Sequence, residues 1–409
     1  MLSSSLPVEE ILEALDLSRA EPGPGLLDAL FARFNARVPF ETASKIERNA
    51  AVADPEEKPR RPDLFWREHL ESGTGGTCFA RVAAFDALLA ALGFPTRKIL
   101  GRVQRDFDHA AQIVELRGRS WICDVGFPFP ALLPAEAAQV ETSAGPIRVR
   151  PTERGLFVEL GGVPEGPRQV ELFLEPVAKE DFALRWRETY RPGSKFLGAV
   201  SLRLQLENRA ISFAGGEVRV DDAHSRLTVP LLTARPARLS EIFGVDAGLL
   251  ARAFERVGNP RPRANDASLT AYLETDCDPG QAFSAITSPA GYRRLLEGVA
   301  AVSGEAETED GWTVRLSPPA PGPSGQDGFL EERVRPDAAR RRLEITRLAG
   351  QTRFESFYRA ERRGEKAYLL RGARLQGPRE DLLRNDSLRG RLAAGLAVDL
   401  LAWGRLISP

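Results

Sequence analysis

Cys78 is the residue whose setting best suits a chemical role, because it opens a helical segment directly after a Gly75-Gly76 turn. The apolar residues that follow recur at helical spacing and Gly93 ends the run; they are Val82, Phe85, Leu89 and Leu92. Unpaired N–H groups and the positive end of the helix dipole favour a thiolate in the first turn. We therefore predict a cysteine that can attack a carbonyl carbon.

Two further residues supply what a cysteine nucleophile needs. His109 lies in an extended run at 108–116, after a strand-like segment at 96–103, and Asp124 lies near the end of a third short strand at 120–126. In an antiparallel meander, His109 and Asp124 would face the same side and form a hydrogen-bonded pair over the start of the Cys78 helix. An imidazolium there stabilises the thiolate, and the carboxylate fixes the tautomer and orientation of the ring.

Each of the three residues also has an ordinary structural interpretation. His109 alone would be a strand-end histidine bonded to a backbone group, Asp124 a turn residue, and Cys78 a small buried apolar residue. The chain contains only three histidines, which gives weight to one in this position. The order of the three, together with the glycine turn, predicts Cys78, His109 and Asp124 as a catalytic triad.

At these residues the sequence resembles the arylamine N-acetyltransferase family. That family has an Arg-Gly-Gly-X-Cys-X-Glu-X-Asn helix start, a histidine after the next strand, and an Asp-Val-Gly-Phe-Gly segment. The matching segments here are 74–82, His109 and 124–128. Further similarity lies at 38–41, 181–182, 192–196 and 242–245, so that the resemblance covers roughly residues 1–255.

Four positions depart from the family pattern. Thr74 replaces the arginine, Ala80 the glutamate, Val82 the asparagine, and Pro128 the last glycine. The nucleophile, base and orienting acid are all kept. The resemblance therefore implies cysteine acyl chemistry, whereas the departures leave the donor less well defined.

The resemblance implies a ping-pong acyl transfer from a thioester, with acetyl-CoA as the acyl-donor substrate and an arylamine or related small-molecule amine as the acceptor. No glycine-rich phosphate loop is present, so the residues that would bind CoA stay unknown. The transglutaminase-like superfamily shares the helix-strand-strand order. An amide hydrolase or amide synthase with the same triad is therefore one alternative, and an inactive protein that binds a hydrophobic ligand is another.

Composition and charge exclude several classes of protein. With 43% hydrophobic and 28% charged residues among 409, the chain is globular, and a net charge of -1 without a basic stripe argues against nucleic-acid binding. The cysteines Cys78, Cys123 and Cys277 are too widely spaced for a disulfide framework or a zinc site, and no metal is expected. Cys123 is expected to pack rather than react.

The ends of the chain favour a cytoplasmic protein. Residues 1–7 lack the basic start and apolar stretch of a signal peptide. The closing helix carries Arg389, Arg391, Asp399 and Arg405, which argues against a membrane span.

The element pattern predicts an α+β protein with two domains. Residues 1–256 would form the arylamine N-acetyltransferase-like domain, with an N-terminal helical region and a β-rich, barrel-like region around a cysteine-protease or transglutaminase-like core. Helices are expected at 8–15 and 26–38, and β-rich runs at 169–174 and 199–206. A linker rich in proline, asparagine and charge occupies 257–267.

Residues 268–409 have a different pattern of elements. A strand near 269–273 precedes a helix that begins at Asp278-Pro279 and runs toward Leu296, then five strand-like runs and a long final helix. A proline-rich segment at 317–328 is expected to be a mobile loop. This order resembles the helix-grip fold of the START and polyketide-cyclase-like (SRPBCC) superfamily, which implies a cavity for a hydrophobic ligand; a filled core without a ligand is the alternative.

Overall fold

The computed structural model describes residues 6–127, 129–142, 144–161, 168–233, 235–296, 301–317, 330–349, 352–363, 366–376, 379–384 and 386–407. These residues divide into two compact units. The first lies within Met1–Val163, Pro167–Ala223 and Leu231–Arg263, and the second within His224–Pro230 and Ala264–Pro409. The domain boundaries expected from the sequence stay a prediction.

The first unit combines helices with antiparallel strands. Its helices are α1 (Val8–Ala14), α2 (Pro24–Arg37), α3 (Ala43–Ala51), α4 (Pro62–Ser72), α5 (Cys78–Ala91), α6 (Lys179–Glu188), α7 (Arg235–Phe243) and α8 (Ala247–Val257). Its strands are β1 (Phe40–Glu41), β2 (Thr96–Arg102), β3 (Asp106–Leu116), β4 (Arg119–Cys123), β5 (Leu133–Pro134), β6 (Ala138–Val140), β7 (Ile147–Pro151), β8 (Gly155–Leu160), β9 (Arg168–Phe173), β10 (Leu202–Gln205), β11 (Ala210–Ala214) and β12 (Glu217–Asp221). The predicted α+β class is confirmed.

An eight-stranded sheet in the order β5-β4-β3-β2-β9-β8-β7-β6 carries two of the predicted site residues. Its strands β2, β3 and β4 form the expected antiparallel meander, with Ala110 opposite Leu100 and Ile113 opposite Ile122. Alternate residues of β3 enter different cores, because successive side chains point to opposite faces. Ala110 packs in the helical core and Ala111 in a second core across the sheet, so the strand is apolar on both faces.

The helical core fixes the helix that begins at Cys78. Phe34 of α2 is fully buried, with its ring 4.7 Å from that of Phe85 in α5 and 5.7 Å from that of Trp66 in α4. The indole of Trp66 also donates a 3.0 Å hydrogen bond to the carbonyl oxygen of Ala84. These contacts hold α2, α4 and α5 together beneath the site.

The second unit contains strands β13 (Ser225–Pro230), β14 (Ala267–Thr275), β15 (Ala301–Thr308), β16 (Gly311–Ser317), β17 (Leu330–Asp337), β18 (Arg342–Ala349), β19 (Thr352–Arg363) and β20 (Lys366–Leu375). They pair in the order β13-β14-β20-β19-β18-β17-β16-β15. Its helices are α9 (Pro279–Ser284), α10 (Pro289–Leu296), α11 (Asp381–Arg384) and α12 (Asp386–Ile407). Leu400 and Trp403 of α12 are buried in the apolar core of this unit.

Several expectations for the second unit are refined. Asp278 caps α9 as expected, since its carboxylate accepts hydrogen bonds from the N–H groups of Gly280 and Gln281. The predicted continuous helix toward Leu296 is wrong, because Pro289 lacks an N–H group and starts a second helix. Strand β15 has no counterpart in the predicted pattern. Of the proline-rich segment at 317–328, residues 318–328 lie outside the described residues, as does the side chain of Leu388.

Among the helices that the structure describes, none has both the length and the apolar character needed to cross a membrane.

Replacing Phe34 by alanine should destabilise the first unit, because it removes a fully buried ring and leaves a cavity. We expect a loss of about 3–5 kcal/mol in the free energy of unfolding, measured as a shift in urea unfolding followed by circular dichroism. Phe354→Ala is the matched control, since the Phe354 ring is 50% exposed. Equal effects of the two substitutions would contradict the packing described here.

Candidate active site

The approach to Cys78 is built by backbone pairing between two segments. The N–H of Glu41 donates to the carbonyl oxygen of Gly76 at 3.2 Å, and the N–H of Gly76 donates to that of Pro39 at 3.3 Å. A side chain at Gly75 would overlap the Pro39 carbonyl, so the close approach requires glycine. The Pro39–Glu41 segment therefore fixes the turn from which α5 begins.

Cys78 is the first residue of α5 and is 5% exposed. Thr77 precedes it in an extended conformation and makes no side-chain capping hydrogen bond. The first-turn N–H groups have no partner one helical turn earlier, as in any helix. The sulfur thus lies at a helix start whose first-turn N–H groups are not engaged by a side-chain cap.

His109 and Asp124 form the pair that the sequence predicted. His109 lies on β3 and Asp124 directly follows β4. His109 is 2% exposed and Asp124 is 1% exposed. The distance from Nε2 of His109 to Oδ2 of Asp124 is 2.8 Å. The other oxygen, Oδ1, accepts a 2.7 Å hydrogen bond from the N–H of Phe127. Because Nε2 is engaged by the carboxylate, Nδ1 is the nitrogen left for the thiol.

Gly126 shows how closely Cys78 and His109 approach each other. A Cβ atom on Gly126 would lie 2.8 Å from Cβ of Cys78, 3.0 Å from Cε1 of His109 and 2.5 Å from the carbonyl oxygen of Ala110. A methyl group at this one position would thus collide with both the Cys78 side chain and the imidazole. The structure brings Cys78, His109 and Asp124 together, and only a residue without a side chain fits between the first two.

The surroundings of His109 favour its charged form. Burial lowers the pKa of the imidazole, but the Asp124 carboxylate and the Cys78 thiolate raise it, and the net result is a pKa of about 10. His109 is therefore an imidazolium across neutral pH. An imidazolium between a thiolate and a carboxylate is the ionisation state that a cysteine nucleophile requires.

Arg81 is a buried cation beneath this trio that the sequence reasoning missed. Its Nε donates to the carbonyl oxygen of Val125 at 2.7 Å, and its Nη2 donates to Oδ1 of Asn35 at 2.8 Å; Nη1 donates to the carbonyl oxygen of Val38. Burial lowers the pKa of its guanidinium to about 9, so it stays charged at neutral pH. Arg81 thus joins α2 and the Asp124–Gly126 segment to α5. An arginine within the apolar start of α5 was the available signal.

Arg60 occupies the region where the chain departs from the family pattern. It is 3% exposed, and its guanidinium donates to the carbonyl oxygen of Gly75 and, at 2.7 Å, to Glu68. A side chain on Gly76 would meet both Arg60 and Ala80, so the guanidinium lies beside the small residue that stands for the family's glutamate. No sequence motif pointed to Arg60, because it reaches the turn from a loop 15 residues upstream.

Aromatic side chains border the site. The ring of Phe127 stands edge-on to the His109 imidazole, with 6.1 Å between the ring centroids. The guanidinium of Arg168 lies over the same Phe127 ring, 4.6 Å from its centroid. Phe40, which bridges to Gly76, packs edge-on against Phe196 at 5.3 Å. These rings are partly exposed and offer an apolar surface near Cys78.

The other two cysteines lie apart from this arrangement. Cys123 is fully buried in the helical core, and burial raises the pKa of its thiol, as expected for a packing residue. Cys277 is partly exposed beside α9 in the second unit. In the described part of the chain, no group of three His, Cys, Asp or Glu side chains is arranged to hold a metal ion.

A cysteine at a helix start beside a buried His–Asp pair is the arrangement that cysteine-nucleophile enzymes use. An N-acetyltransferase family model matches residues 25–246, more than half of the chain. The chain therefore belongs to this N-acetyltransferase family. An arylamine N-acetyltransferase of Escherichia coli (strain K12) is 32% identical over 108 residues, which make up 25% of this chain and 36% of that protein. The chain thus matches little more than a third of this curated relative's length.

Solved structures agree on the fold. The arylamine N-acetyltransferase of Mycobacterium tuberculosis superposes with a TM-score of 0.54 at 20% identity, over 61% of this chain and 99% of that one. An arylamine N-acetyltransferase of Bacillus cereus, with a Cys-His-Glu catalytic triad, superposes with a TM-score of 0.50 at 18% identity, over 59% of this chain and 99% of that one. The fold expected from the family resemblance is thus confirmed for the first unit.

Substituting alanine for Gly126 should separate Cys78 from His109, because the added methyl group meets both side chains and a backbone carbonyl. We expect alkylation of Cys78 by iodoacetamide at pH 7 to slow by about tenfold or more, since the thiolate loses its imidazolium. The modified cysteine is identified by peptide mass spectrometry, and circular dichroism checks folding.

Gly198→Ala is the matched control, because nothing lies within 4 Å of a Cβ at that position. A folded Gly126→Ala protein that alkylates at the rate of the unmodified protein would show that His109 does not ionise Cys78.

Proposed function

We propose that this protein is an acyl-CoA dependent N-acyltransferase, with acetyl-CoA as donor and arylamines or related small amines as acceptors. Membership of the N-acetyltransferase family supports the reaction class. The observation that carries the catalytic assignment is the closeness of Cys78 and His109 around Gly126, where an added Cβ would meet both, beside the 2.8 Å bond from His109 to Asp124. Cys78 is the proposed nucleophile, His109 the acid and base, and Asp124 the orienting carboxylate.

Acylation starts from the thiolate–imidazolium pair. The Cys78 sulfur attacks the carbonyl carbon of the thioester, and first-turn N–H groups of α5, including that of Cys78, stabilise the oxyanion. As the intermediate collapses, the carbon–sulfur bond to CoA breaks and His109 gives its proton to the departing sulfur. The products are CoA thiol, an acyl-cysteine and a neutral imidazole.

Transfer to the amine uses the changed charge of the acyl-enzyme. Formation of the thioester removes the thiolate, which is one of the groups that raise the His109 pKa. The imidazole can then accept the proton that the amine nitrogen loses as it attacks the acyl carbon. A carbon–nitrogen bond forms and the bond to Cys78 breaks, which restores the thiolate and the imidazolium.

The walls of the site support an aromatic acceptor. Phe127 lies edge-on to His109, and Phe40 lies in the segment that pairs with the turn before Cys78. Partly exposed rings of this kind offer stacking and edge-to-face contacts to an aryl group. The amide hydrolase or amide synthase and the inactive binding protein draw no comparable support from the family match, which favours the transferase.

We further propose that the second unit has the helix-grip architecture of the START and polyketide-cyclase-like superfamily. Its order of elements supports this: β14, then α9 and α10, six strands β15–β20, and the long α12 that packs on β14 and β20. Its interior also holds buried charges, since Glu332 accepts 2.8 Å hydrogen bonds from Tyr292 and Arg347. A hydrophobic ligand stays a prediction, and any ligand there would have to match these polar groups. A cytoplasmic location likewise stays a prediction.

Exposure to acetyl-CoA should add one acetyl group to the protein, and Cys78→Ala should abolish the gain, because the acyl group is held as a thioester on that sulfur. Intact-mass spectrometry over a panel of acyl-CoA donors measures both the intermediate and the acyl chain preferred. Cys123→Ala is the matched control. Since the buried Cys123 thiol is not expected to react, this variant should be acylated to the same extent as the unmodified protein.

Acylation of the Cys78→Ala variant at the rate of the unmodified protein would remove Cys78 from the mechanism. Absence of any acyl adduct from every donor, in protein whose Cys78 still reacts with iodoacetamide, would contradict the transferase itself.

A further inference from the structure

We propose that Lys45 is a positioning residue for the nucleophile, whose buried ammonium group acts as counter-charge to the Cys78 thiolate. The sequence reasoning did not single out this lysine, and the family pattern described above does not include it. The inference rests on the proposed function only in taking Cys78 as the nucleophile.

The backbone brings Lys45 to the site. It is the third residue of α3 and only 4% exposed. The strand that leads into α3, Phe40–Glu41, is the one that pairs with Gly76 just before α5. The first turns of α3 and α5 therefore begin on either side of this backbone pairing, which brings Lys45 to the end of α5 that carries Cys78.

Within the described residues, no carboxylate forms an ion pair with Lys45. Its Nζ instead lies 4.8 Å over the ring of Tyr190, which is itself buried. The neighbouring acid Glu41 is engaged by Ser44, whose N–H donates to it at 2.9 Å and whose hydroxyl donates to its other oxygen. Burial of an ammonium group without an anion is unfavourable, so an anion beside Lys45 is strongly stabilised.

The two buried arginines of the site already have hydrogen-bond partners. Arg60 donates to the Gly75 carbonyl and to Glu68, and Arg81 donates to two carbonyl oxygens and an amide oxygen. Lys45 is thus the buried cation near Cys78 whose protons are not directed at a neighbouring oxygen in the described part of the chain. The contact with the Tyr190 ring does not use the ammonium protons in a hydrogen bond to oxygen, so the positive charge can interact with the Cys78 sulfur.

The interaction acts in both directions. Burial lowers the pKa of Lys45 to about 8, and the Cys78 thiolate opposes this by favouring the ammonium form. By reciprocity, the ammonium favours the thiolate by the same free energy. Other charged or titratable groups that surround this position stay in place when Lys45 is replaced: Glu41, Arg48, Arg60, Glu68, Arg81, His109, Asp124 and Tyr190.

The test is the pH dependence of Cys78 alkylation by iodoacetamide in Lys45→Met, which removes the charge but keeps a flexible apolar stem. We expect a rate about tenfold lower at pH 6–7. The difference should shrink toward pH 10, because Lys45 is then neutral in the unmodified protein as well. Lys45→Arg should recover most of the rate at neutral pH.

Lys98→Met is the matched control. The Nζ of Lys98 also lies over an aromatic ring, that of Phe182 at 5.6 Å, but it is paired with Asp86, so the profile should not change. Circular dichroism checks folding, and Lys45→Gln replaces the methionine variant if that protein does not fold.

A folded neutral variant with an unchanged profile would overturn the inference. So would equal slowing at every pH in both the methionine and arginine variants, since that indicates a structural role. If alkylation depends on Lys45 as expected but no acyl-CoA acylates Cys78, the acyltransferase proposal fails while the role of Lys45 stands.

Discussion

The buried hydrogen bond between His109 and Asp124 is the interaction on which the rest of the site depends. It holds the imidazole with Nε2 against the carboxylate, and it keeps a positive charge next to a sulfur that is almost fully enclosed. A charge removed from water is stable only when partners replace the lost solvation. Asp124 and Cys78 both raise the pKa of the imidazole between them, and this shared effect makes the three residues one unit.

The scaffold around this unit holds it by close backbone approach and by buried cations. Glycines at 75 and 126 allow contacts that a side chain would block, one to Pro39 and one between Cys78 and His109. Arg81 ties three chain segments beneath the site, and Arg60 braces the turn where Thr74 and Ala80 replace the family's charged pair. The departures at the helix start are thus compatible with an ordered site, since a cation from elsewhere in the chain holds the same turn.

Local patterns were enough to predict the Cys78 helix, the β2–β4 meander and the three residues that these elements bring together. The helix at Cys78, the meander of β2 to β4 and the capping of α9 by Asp278 follow from periodicity, glycine and capping chemistry, all of which act over a few residues. Arg60 and Lys45 could not be predicted in the same way, because their burial results from packing between segments far apart in sequence. Pro289 shows the opposite case: its effect is local, and the predicted continuous helix overlooked it.

A titration of His109 by nuclear magnetic resonance tests the central claim most directly. The protein has three histidines, so a ¹⁵N-histidine spectrum is simple, and burial lowers the pKa of His69, which separates it from His109. We expect His109 to remain an imidazolium through neutral pH and to lose its proton near pH 10, and to lose it at lower pH in Cys78→Ala. Loss of that proton near pH 6.5, unchanged by removal of the sulfur, would contradict the thiolate–imidazolium pair.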